Sequence, residues 1–170
     1  SQGTLQAIYE FQSSICALYG MDAANASLYD GATALAEAVS AAARITGRNK
    51  ILLPESLHPE WREVLKTYFG AKGEPVLETI SCPTGRLDVS AMEARLDETV
   101  AAVVVATPNF FGLLEDAPVL AERAHGRGAL VVAVADPVSL GVLEAPGHWG
   151  ADFAVGEGQG LGNALNYGGP

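Results

Sequence analysis

Residues 101–106 read AAVVVA and residues 130–135 read LVVAVA. Each is an unbroken apolar run of strand length, and no polar residue alternates within it. A strand with one wet face alternates apolar and polar residues. A continuous run is what a strand needs when helices cover both faces of its sheet. Between the two runs, Pro118 to Gly126 reads as a helix. The unit is therefore strand, helix, strand, which is the crossover that joins parallel neighbours.

The same alternation extends outward in both directions. Upstream, Ile51-Leu52-Leu53 predicts a short buried strand stopped by Pro54. A helix follows from Pro59 to Phe69, with Gly70 near its end. Val76 to Ile80 predicts another strand, Pro83-Thr84-Gly85 a turn, and Asp88 or Ser90 the cap of a short helix carrying Met92 and Leu96. Downstream, Asp152 to Val155 predicts a last strand, and Gly156, Gly158, Gly160 and Gly162 predict a loop. Near the start, Leu5, Ile8, Phe11, Ile15, Leu18 and Tyr19 recur at helical spacing, with Gly20 as the stop. A short strand is expected over Ala26 to Tyr29. An alanine-rich helix then runs from Ala34 to Ile45 and ends at Gly47. The pattern predicts a three-layer α/β/α arrangement with a mainly parallel sheet, formed by residues 1–170 as one domain.

Composition narrows the function classes. The chain has 170 residues with 49% hydrophobic and 18% charged, enough apolar surface for a large core and the reverse of a disordered composition. Its net charge of −10 argues against nucleic acid, whose binding rests on phosphate-neutralising lysine and arginine. It argues equally against anionic membrane surfaces. No apolar run approaches the roughly 20 residues that cross a bilayer, and no signal peptide is visible. A cytoplasmic or organelle-matrix location is expected. Cys16 and Cys82 have no CxxC partner and are read as reduced thiols. His58, His125 and His148 lack metal-ligand spacing, so no metal is expected. The chain starts at Ser1 and stops at Pro170 after Gly168-Gly169, which predicts a piece of a longer chain.

In parallel sheets, ligands bind beyond the carboxyl ends of the strands. The residues to watch are therefore Asp30 to Thr33, Pro108 to Phe111, Asp136 to Ser139 and Glu157 to Asn163. Asp30-Gly31-Ala32-Thr33 enters a helix. Its backbone amides and the Thr33 hydroxyl suit an anion, whereas the simpler reading makes Asp30 the helix cap and Gly31 a turn residue. Asp136 ends LVVAVA, where it either meets the nitrogen of a heterocyclic ligand or caps an Asp-Pro turn. The run Gly156-Glu157-Gly158-Gln159-Gly160-Leu161-Gly162 lacks the third small residue of a dinucleotide fingerprint and opens no convincing helix. Phe110-Phe111 reads first as a core or interface pair and second as a substrate-side pair.

Three strings carry a family resemblance: NASLYDGATALAEA from Asn25, ADPVSLGVLEAPGHWGADFAVGEGQGLG from Ala135, and LNYGGP from Leu165. The chain resembles the glycine dehydrogenase (decarboxylating) family, the P-protein of the glycine cleavage system, in its first-subunit or N-terminal-half form. The resemblance implies a fold-type-I pyridoxal-phosphate domain, with Gly31, Ala32 and Thr33 at the phosphate cup and Asp136 at the ring-nitrogen position. It implies glycine as substrate, release of carbon dioxide, and passage of the aminomethyl group to a lipoyl H-protein. Such enzymes need a lysine amine to hold the cofactor, soon after the strand that follows the aspartate. The lysines here are Lys50, Lys66 and Lys72, all upstream, and ADFAVGEGQGLGNALN contains none. The resemblance therefore implies that no residue of this chain is catalytic. The cofactor would be held by a lysine-bearing second subunit, with none expected on this chain alone. The alternative is an interaction module whose pyridoxal site is vestigial.

Overall fold

The structure, a computed structural model, describes residues 1–71 and 73–164. Lys72 and the LNYGGP string lie outside the described residues. Five parallel strands form one sheet: β1 (Lys50–Pro54), β2 (Val76–Ile80), β3 (Val100–Ala106), β4 (Leu130–Val134) and β5 (Phe153–Val155), in the order β2-β1-β3-β4-β5. The two valine-rich runs lie side by side, with Ala102 opposite Leu130 and Ala106 opposite Val134.

Both faces are covered, which accounts for the unbroken apolar runs. Ile51, Leu53, Ala102, Val104 and Val132 point to one face, where helices α2 (Gly31–Thr46) and α3 (Pro59–Gly70) contribute Leu35, Val39, Leu65 and Phe69. Leu52, Val103, Val105, Val131 and Ala133 point to the other. There α4 (Val89–Glu93) and α5 (Ala117–His125) supply Met92, Leu120 and Ala124, and Trp149 closes the layer. The split follows from handedness. The crossover β1-α3-β2 runs toward one edge of the sheet, while β2-α4-β3 and β3-α5-β4 run toward the other. Right-handed connections in opposite directions place their helices on opposite faces.

Helix α1 (Gln2–Tyr19) is mostly exposed. Only Tyr19 is buried, and Leu5 and Phe11 are 58% and 43% exposed. Helices α1 and α2 stop at Gly20 and Gly47, both left-handed.

One expected element is absent. Residues 26–29 form no strand, because Ser27 takes a positive φ of 110° and Leu28 and Tyr29 are exposed. A left-handed residue breaks the pleat, and no neighbouring strand is there to pair with it. Leu96 falls just beyond α4 rather than within it, yet it is still buried.

Candidate functional site at the carboxyl ends of β4 and β5

The segment before α2 and the loops after β4 and β5 meet at one corner of the sheet. Asp30 caps α2 with a reciprocal capping box. Its Oδ1 accepts from the Thr33 amide at 2.7 Å, and its own amide donates to Thr33 Oγ1 at 3.1 Å. The Thr33 hydroxyl in turn donates to the Asp30 carbonyl at 3.1 Å. A second donor at this helix start, the Gly31 amide, is taken by a carboxylate from the far end of the chain. It donates to Glu157 Oε2 at 3.0 Å, while Glu157 Oε1 accepts from the Gln159 amide at 3.3 Å.

Two glycines make this approach possible. A Cβ on Gly31 would sit 2.5 Å from the Trp61 indole, which lies against the start of α2. A Cβ on Gly156 would overlap the Tyr19 hydroxyl and the Ala135 carbonyl. Tyr19 ends α1 and donates from its buried hydroxyl to the Ala135 carbonyl at 2.9 Å. Burial, followed by the charges of Asp136 and Glu157, pushes its phenol well above the usual tyrosine value.

Asp136 is exposed at the end of β4, and its Oδ1 accepts from the Val138 amide at 3.1 Å. The structure thus brings Gly31, Ala32, Thr33 and Asp136 to the same corner, and in this chain Asp30 and Asp136 act as caps. Sequence reasoning missed Tyr19, Trp61 and the role of Glu157. Only the position of Glu157 directly after a strand pointed to it.

The other strand-end residues form a second cluster at the switch in strand order between β1 and β3. Buried Ser56 donates to Glu115 Oε1 at 3.2 Å, Asn109 Nδ2 donates to the same oxygen at 2.8 Å, and Glu115 Oε2 accepts from the Leu87 amide at 3.0 Å. Glu115 thus ties the ends of β1 and β3 together through a fully hydrogen-bonded buried cluster. Phe110 and Phe111 do not enter the core, being 51% and 56% exposed. They pack edge to face at 5.7 Å, with His58 against Phe110 at 4.9 Å. The expected glycine loop contains a short 3-10 turn, Gly158–Leu161. Among the described residues, no three His, Cys, Asp or Glu side chains group as metal ligands. Cys16 and Cys82 are free. No described helix is long and apolar enough to cross a membrane.

The parallel sheet, with a helix N-terminus and an aspartate at its carboxyl edge, places the fold in the pyridoxal-phosphate-dependent, aminotransferase-like class. An alanine–glyoxylate aminotransferase from Nostoc sp. superposes with a TM-score of 0.69 at 19% identity, covering 94% of this chain and 42% of that one, a likeness of fold alone. The glycine cleavage system P-protein family model matches residues 1–170, and the chain belongs to that family. It is 56% identical to a probable glycine dehydrogenase (decarboxylating) subunit 1 of Prosthecochloris aestuarii and 54% identical to one of Desulfitobacterium hafniense. Each match covers the whole chain and 38% of the relative. A crystal structure of a glycine decarboxylase (P-protein) of the glycine cleavage system, in inhibitor-bound form, superposes with a TM-score of 0.89 at 52% identity. That match covers 100% of this chain and 38% of that one. The chain therefore spans about two fifths of its relatives' length.

Pyridoxal phosphate, the cofactor of this fold class, does not fit this corner among the described residues. Two amides at the cup already serve carboxylates. Lys50 starts β1, at the opposite end of the sheet from Asp136, and is paired with Asp97 at 2.6 Å. Lys66 lies exposed on α3 beside Glu63.

Proposed function

We propose that the chain is part of the first subunit of a two-subunit glycine decarboxylase and supports a cofactor site whose lysine lies on the partner subunit. The observation that carries this reading is its 54–56% identity, over all of its residues, to proteins bearing that subunit name. The upstream position of all three lysines supports placing pyridoxal phosphate on the partner. The assembled enzyme would release carbon dioxide from glycine, with the cofactor as electron sink, and pass the aminomethyl group to a lipoyl H-protein. The groups this chain offers a partner are exposed beyond the carboxyl ends of β3 and β4: the Phe110-Phe111 pair and the Asp136 carboxylate. The bacterial sources of the relatives support a cytoplasmic location.

The test is reconstitution of the full-length subunit with its lysine-bearing partner. Glycine-dependent carbon dioxide release is expected only from the mixture. Borohydride should trap the cofactor on the partner alone, and a trapped lysine on this subunit would overturn the reading.

The carboxylate-filled cup favours a second reading, an interaction module with a vestigial site. Asp136→Asn or Phe110→Ala in the assembled complex separates the two. Loss of turnover with assembly intact supports a working contribution, and unchanged turnover supports the module.

A further inference from the structure

The N-terminus of α2 favours an anion, since its first amides are free of intrahelical partners and carry the positive end of the helix dipole. We propose that the Glu157 carboxylate is that anion, built into the chain, and that this cup accepts neither a cofactor phosphate nor free phosphate. The identification of the cup rests on the family reading above; its occupancy by Glu157 does not.

Three observations converge on it. Both Glu157 oxygens are engaged, Oε2 by the Gly31 amide at 3.0 Å and Oε1 by the Gln159 amide at 3.3 Å. Its support is firm, because β5 pairs with β4 and Gly156 packs so tightly on Tyr19 and Ala135 that no Cβ fits there. The approach is crowded by Trp61 on Gly31 and by a second carboxylate, Asp30, on the Thr33 amide. A phosphate dianion would have to displace one carboxylate and settle beside another. Like charges disfavour that arrangement, most strongly where water is scarce.

The experiment uses the full-length subunit assembled with its partner, in wild-type, Glu157→Gln and Glu157→Ala forms. Inorganic phosphate is the probe. Equilibrium dialysis with radiolabelled phosphate gives stoichiometry, and hydrogen exchange of the peptide spanning residues 28–36 reports the helix start. The wild-type complex is expected to show no phosphate-dependent slowing of exchange there. Glu157→Ala should gain one phosphate per first subunit, at least tenfold tighter than wild type, with slowed exchange in that peptide. Glu157→Gln keeps the acceptor and removes the charge, and it should fall between them. It also serves as the readout if the alanine variant does not fold. Phosphate protecting the wild-type peptide as strongly as the variant would overturn the proposal, as would a folded variant that gains no binding. A wild-type complex that fails to release carbon dioxide from glycine would sink the functional reading while leaving this titration interpretable.

Discussion

The Tyr19 hydroxyl gives the Ala135 carbonyl a hydrogen bond in a buried setting. Removing it in Tyr19→Phe strands that acceptor and should lower unfolding stability by about 1–3 kcal/mol, measured by urea denaturation. The same substitution tests a pH effect. Because the native phenol titrates above its ordinary value of 10.0, the stability it confers is complete below that pH. It is lost as pH rises through the raised native value. The wild-type protein should therefore lose stability in that alkaline range, and Tyr19→Phe should lose less there. Gly31→Ala would force its methyl into the Trp61 indole and should cost about 1–3 kcal/mol, despite alanine's better helix propensity. At this scale the sequence was half legible. Asp30 and Asp136 could be read as caps from their neighbours alone. The partnership of Gly31 with Glu157 joins residues 126 apart, and no local pattern encodes it.

Among the elements, α2 depends on its cap. Asp30→Ala removes the carboxylate that accepts from the Thr33 amide, leaves the backbone bond to the Thr33 hydroxyl, and should destabilise the protein by about 1 kcal/mol, read as a shift in the denaturant midpoint. The strands were the most legible elements. β2 has the expected limits, Val76 to Ile80, and β1, β3, β4 and β5 lie within a residue or so of theirs. The composition of β1, β3 and β4 reports burial on both faces, a demand that differs sharply from that on a loop or a one-sided strand. The misread segment, residues 26–29, has apolar residues without a neighbour to pair with, and a composition rule has no access to pairing.

For the whole molecule, charge sets the acid limb. The Lys50 hydrogen bond and the Thr99 side chain hold Asp97 well below the usual carboxylate range. The Cys82 amide and the Ser81 hydroxyl lower Glu55. Their contribution is complete above the ordinary carboxylate values of 3.8 and 4.5 and is lost as pH falls toward the depressed native ones. Stability should therefore fall as pH drops below about 4.5, and Asp97→Asn should flatten that fall in a thermal-melt series. The apolar side of α1, with Leu5 and Phe11 exposed, leads to a further expectation. Expressed without a partner subunit, the chain should sediment as a dimer or larger species, and Leu5→Glu with Phe11→Glu should reduce that association.

The hydrogen bond from Gly31 to Glu157 also sets an order of events during synthesis. With translation at about 5–20 residues per second, the ribosome needs roughly 6–25 s to add the intervening residues. Throughout that interval the α2 amide waits without its native acceptor. The corner at the start of α2 is therefore completed only after β5 and Glu157 have been added. A nascent chain stopped before β5 should retain the β1–β4 pairings but remain open to protease at the start of α2.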